Sequence, residues 1–191
     1  ETFTDINGDE SEIDFMHQAA DFKYYENGDT KAVKLPYENG LSMVVVLGDT
    51  KNILNDIHNN KMTSKLVDVS LPKFKAEYSI DYVNILKNMG IEKAFDNQNA
   101  DFSLMLENYP ERIKIDSVLQ KAMIDVDEKG TEAAAATVAV LTKSALSVDE
   151  EVIEFRADKP FTYYILDDNG NVYFAGRYVK AEIGRASCRE R

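Results

Sequence analysis

The chain alternates short apolar stretches with polar turns, and most of the stretches read as strands. Residues 13–25 mix apolar and polar positions as an extended segment does. Asn27-Gly28 and Asn39-Gly40 sit between apolar stretches and are strong hairpin signals. Residues 42–47 form a continuous apolar run, predicted to be a strand buried on both faces. Residues 49–65 are polar and helix-compatible, and Val67-Asp68-Val69-Ser70-Leu71 then alternates with period two until Pro72 stops it.

Residues 79–89 carry the clearest helix pattern. Ser79 is a plausible N-cap, Val83, Leu86 and Met89 recur at helical spacing, and Gly90 stands where a helix-ending glycine belongs. A shorter helical turn is expected over 101–106. Residues 113–126 alternate at Ile113, Ile115, Met123, Ile124 and Val126, predicting a long strand. Residues 162–166 and 172–179 flank Asp168-Asn169-Gly170-Asn171, a further hairpin. The pattern predicts an α+β architecture with long antiparallel strands.

Composition adds constraints. The 191 residues allow one sizeable core and not two ordinary domains, and 44% are hydrophobic, as in a globular protein. A net charge of −12 disfavours nucleic acid and anionic membrane as partners. The longest apolar run, Met43-Val44-Val45-Val46-Leu47, falls far short of the ~20 residues that span a bilayer, so no membrane span is expected. The chain opens on Glu1 and reads as a fragment. Its last ten residues, 182–191, resemble a translated sequencing adapter and are expected to be non-native; they hold the only cysteine.

An active site is not evident. His17 and His58 are the only histidines, and they lack the spacing of a metal pair. Asp125, Asp127 and Glu128 read as a solvated strand edge, and there is neither a glycine-rich phosphate loop nor a nucleophile elbow. No enzyme, metal or cofactor is expected; an unrelated β-rich hydrolase would need catalytic residues this sequence does not show.

Residues 130–141 are anomalous. The run Ala133-Ala134-Ala135-Ala136 favours helix, whereas Thr137-Val138-Ala139-Val140 favours strand. A segment with both preferences suits a conformational switch. The surrounding residues, Asp127-Glu128-Lys129-Gly130-Thr131-Glu132-Ala133-Ala134-Ala135-Ala136-Thr137, resemble the proximal hinge of an inhibitory serpin's reactive-centre loop. Serpin-like blocks occur in the expected order around it. They include Leu35-Pro36-Tyr37, Leu71-Pro72-Lys73-Phe74, Ala100-Asp101-Phe102-Ser103, Phe155-Arg156-Ala157-Asp158-Lys159-Pro160-Phe161 and Phe174-Ala175-Gly176-Arg177.

The resemblance implies a serpin fold whose N-terminal part is missing, with residues 1–181 as the C-terminal portion of one domain and a bait loop over about 128–150. It implies suicide inhibition: a protease attacks the loop, and the cut loop inserts as a strand in the main sheet. In such a strand Thr131, Ala133, Ala135, Thr137, Ala139 and Leu141 face inward and are all small or apolar, while Glu132 faces out. From Thr131 to Ser144, at roughly 3.3 Å per residue, the strand spans about 45 Å. Family loop length puts the scissile bond at Ser144–Ala145, suiting elastase- or subtilisin-like targets; a loop one residue shorter puts it at Lys143–Ser144, suiting trypsin-like ones.

Glu128 and Lys73 match the pair that holds the top of the main sheet, where insertion begins. Gln120 occupies the shutter position where many vertebrate members carry histidine. The implied partner is a serine protease, or a cysteine protease, met by a monomer that is extracellular or at the cell surface, with a cytoplasmic location as the alternative. The alternative within the fold is a non-inhibitory carrier or chaperone-like protein. Only one of the two strands that would flank the inserted loop is expected in this chain, so the polypeptide alone is not expected to inhibit.

Overall fold

The structure is a computed structural model, and it describes residues 1–105, 113–128 and 152–181. Two compact units divide it: Glu1–Phe74 with the chain from Val126 onward, and Lys75–Asp125.

The larger unit is built on one seven-stranded sheet. Its members are β3 (Phe15–Asn27), β4 (Thr30–Pro36), β5 (Leu41–Leu47), β6 (Thr63–Pro72), β9 (Ile153–Arg156), β10 (Phe161–Asp167) and β11 (Val172–Tyr178). They lie in the order β11-β10-β5-β4-β3-β6-β9. A small hairpin of β1 (Thr2–Thr4) and β2 (Glu10–Glu12) stands beside it. All pairings in the large sheet are antiparallel except β6 with β9.

Strand β5 lies inside the sheet, between β10 and β4, and its five residues from Ser42 to Val46 are all buried, as the unbroken apolar run predicts. Val44 and Val46 face one core cluster with Tyr25, Ala32, Ile53, Met62 and Leu166. Val45, opposite Val33 and Tyr163, faces the other side. On this sheet an aromatic cluster gathers Phe3, Phe74, Phe161, Tyr163, Phe174 and Tyr178 at centroid separations of 4.9–6.4 Å.

The hairpins fall where the sequence puts them, with one shift. Asn27 pairs with Thr30, so the tight turn is Gly28-Asp29 and not Asn27-Gly28. Gly28 has φ +59° while Asp29 stays out of the left-handed region, which suits the turn type with glycine in its first central position.

Three element boundaries correct the sequence reading. Of residues 49–65, only Ile53–His58 are helical (α1); β6 already starts at Thr63. Ser79 is no N-cap: it lies within β7 (Phe74–Asp81), and α2 runs only from Val83 to Asn88. Asp81 takes the capping position in effect, its carboxylate accepting the Val83 N–H at 3.1 Å. Gly90 does end the helix, at φ +95°, with Ile91 N–H donating to Leu86. The expected strand over 113–126 is regular only as β8 (Leu119–Val126), which pairs with β7 in a two-stranded sheet. Residues 113–118 are held by single bonds instead, such as Ile115 N–H to Ala94.

Candidate functional site

The segment singled out by the sequence, with Gly130, Thr131, Glu132, Ala133, Ala134, Ala135, Ala136, Thr137, Lys143, Ser144 and Ala145, lies outside the described residues. The structure describes the two points from which it departs and returns.

The departure point is Glu128, two residues after β8 ends. Its Oε1 lies 2.5 Å from the Lys73 ammonium. Lys73 sits between β6 and β7, its N–H bonded to the Asp14 carbonyl at 2.9 Å. Its neighbour Phe74 is buried in the aromatic cluster, so the backbone that carries the lysine is well anchored. The hydrogen bond from Lys73 holds the Glu128 carboxyl below its ordinary range, and the same bond raises the Lys73 ammonium above its own. Asp14 and Asp127 also favour the charged lysine.

The return point is β9. Val67, Asp68, Val69 and Ser70 of β6 stand opposite Ile153, Glu154, Phe155 and Arg156. Phe155 is fully buried and fastens the short edge strand to the core. His17, Ser70 and Arg156 form one rank across β3, β6 and β9. All three converge on the Glu1 carboxylate, at 3.4, 3.1 and 3.7 Å respectively. Sequence reasoning missed this cluster, because only strand register brings three residues so far apart in the chain to one carboxylate. Both anchors of the segment therefore rest on β6 and the residue that follows it.

Gln120, the residue expected at a shutter, is exposed on β8. Strand β8 has β7 as its partner, and its other edge presents backbone N–H and C=O groups without a strand beside them among the described residues. Such an edge accepts an added strand. Among the described residues no three histidine, cysteine or acidic side chains are grouped to hold a metal, and no helix is long and apolar enough to cross a membrane.

Comparison with known proteins identifies this arrangement. The family model for serpin, the serine protease inhibitors, matches residues 1–181. The chain is a serpin. An uncharacterized serpin-like protein of Thermococcus kodakarensis is 36% identical, over 96% of this chain and 45% of its own length. The antitrypsin of Bombyx mori is 31% identical over 87% of this chain and 45% of its own length. The crystal structure of tengpin, a thermophilic serpin in the native state, matches with a TM-score of 0.75 and 29% identity, over 95% of this chain and 49% of tengpin. The chain thus spans about half the length of the serpins it matches, and its sheets are part of a serpin fold.

Proposed function

We propose that this chain supplies the bait loop, and one strand of the sheet that receives it, in a serpin that inhibits serine proteases as a suicide substrate. The observation that carries the reading is the junction at Glu128. Among the described residues no strand lies on the outer edge of β8, Glu128 is tied to Lys73, and the hinge sequence Gly130-Thr131-Glu132-Ala133 follows directly.

A protease that attacks the carbonyl of Ser144 would form an acyl-enzyme and free the C-terminal side of the loop. The hinge would then enter beside β8 as a new strand, its small inward residues Thr131, Ala133, Ala135 and Thr137 needing little space. For that entry the Lys73–Glu128 pair must part, which makes it the gate of the sheet. Serine protease inhibitor is also the description of the matched family, and inhibitor names recur among the relatives. The chain acts in this reading as a substrate and not as a catalyst.

The test is incubation of the full-length parent protein with elastase, subtilisin and trypsin. An SDS-stable complex with cleavage after Ser144 is expected. Clean cleavage with neither a complex nor thermal stabilisation sinks the proposal and favours a carrier.

A further inference from the structure

Asn-Gly occurs four times, at Asn7-Gly8, Asn27-Gly28, Asn39-Gly40 and Asn169-Gly170. The pair has a chemistry of its own beyond making turns. The glycine nitrogen, unhindered by a Cβ, can attack the asparagine side-chain carbonyl carbon. A C–N bond forms, the carboxamide nitrogen leaves as ammonia, and a five-membered cyclic imide results. Water then opens the ring at either carbonyl, giving aspartate or isoaspartate. One water is consumed and one ammonia released, with no oxidation or reduction. All four glycines have positive φ, between +59° and +87°, so backbone conformation alone does not distinguish the sites.

Hydrogen bonding does. The Gly8 N–H is bonded to the Asp5 carbonyl at 3.0 Å, and the Gly170 N–H to the Asp167 carbonyl at 3.1 Å. Each attacking nitrogen must first give up that bond. At Asn27-Gly28 the Gly28 N–H likewise has no acceptor among the described residues, but no hydrogen bond among them draws the Asn27 side chain over its turn. At Asn39-Gly40 no acceptor among the described residues takes the Gly40 N–H. The Asn39 side chain is also drawn back over the turn, because its Oδ1 accepts the Leu41 N–H at 3.2 Å. That donor polarises the carbonyl to be attacked and steadies the oxyanion that forms there. Asn39 is exposed, and nothing lies within 4 Å of where a Gly40 Cβ would stand, so water and base reach the site.

We propose that Asn39 is a site of spontaneous deamidation, favoured by the fold over the other three Asn-Gly pairs. Its outcome matters to the core. Residues 37–40 alone connect β4 to β5, and Pro36 opposite Ser42 is the rung next to the turn. Aspartate at 39 leaves the backbone length unchanged, whereas isoaspartate lengthens this connection by one methylene.

The experiment incubates the full-length parent protein in mildly alkaline buffer and follows these four Asn-Gly peptides by mass spectrometry after digestion. Release of one ordinary hydrogen bond corresponds to about fivefold in rate, so the Asn39 peptide is expected to convert about fivefold faster than those of Asn7 and Asn169. In concentrated urea the four rates should converge, since the local sequence is then the only determinant. Equal rates without urea, or an Asn39 peptide that lags, overturn the proposal. Isoaspartate is counted by methyl transfer from an isoaspartyl methyltransferase. Asn39→Ser, which keeps an acceptor for Leu41 but cannot close the ring, should remove most of that signal; an undiminished signal overturns the assignment.

Discussion

Lys73 and Glu128 carry the clearest residue-scale expectations. The Glu128 carboxyl is depressed by the Lys73 hydrogen bond, so its contribution to stability is present above the ordinary glutamate range. It is lost as pH falls through the lowered value. The Lys73 ammonium is raised by the same bond, so its contribution is complete below the ordinary lysine range and fades as pH climbs through the raised value. Both side chains are partly exposed, and the pair is therefore weak enough to open. With Lys73→Met, an NMR titration should find the Glu128 carboxyl raised toward the ordinary glutamate range, a backbone hydrogen bond still lowering it; an unchanged titration would show that the pair does not form. In the core, the Tyr25 hydroxyl donates to Asp56 at 2.5 Å, and Lys61 donates to its other oxygen at 2.7 Å. Both bonds hold the Asp56 carboxyl low, Lys61 more strongly. Tyr25→Phe leaves a buried carboxylate oxygen without its donor and should cost about 1–3 kcal/mol in urea denaturation.

At the scale of elements, two positions test the packing of the large sheet. Gly176 of β11 stands opposite Tyr163 of β10, and an added Cβ would lie 2.2 Å from the tyrosine oxygen. Gly176→Ala must push the ring aside within the aromatic cluster, and chemical denaturation should register a loss of about 1–3 kcal/mol. Phe155 is the one fully buried large side chain of the four-residue strand β9. Phe155→Ala should cost about 3–5 kcal/mol and speed amide exchange along β9 more than along β5. Uniform protection in both strands would mean that the edge strand is fastened by something other than this ring. The extent of each element was only partly legible. The continuous run in β5 was read correctly because burial on both faces leaves no alternation to misjudge. The helix start was misplaced by three residues, because Ser79 has capping chemistry while its neighbours pair in β7, and pairing with a distant strand outweighs a local cap.

For the whole molecule, the unit formed by Lys75–Asp125 is the informative part. It exposes Met89, Leu104, Met105, Leu119 and Met123, each more than 60% accessible. Apolar side chains exposed in such number call for a cover. Since the chain spans 45% of the Thermococcus relative, much of a serpin is available to provide one. We therefore expect the 191-residue polypeptide alone to bind the dye ANS strongly and to form no SDS-stable complex with elastase or trypsin. A stable complex from this polypeptide alone would show that the chain contains all that inhibition requires.

The strands along the chain, the burial of residues 42–47 and the later two hairpin turns were legible in the sequence, because each depends on periodicity or on neighbours along the chain. Even the Lys73–Glu128 pair could be matched, though only through resemblance to a family, since 54 intervening positions separate the two residues. Tertiary structure decided what depends on register and approach. It joined His17, Ser70 and Arg156 at one carboxylate, shifted the first tight turn by one residue, shortened the strand before the hinge, and left the Gly40 N–H without an acceptor where Gly8 and Gly170 have one. Local sequence sets conformational preference; which distant groups meet is settled only when the strands pair and the core closes.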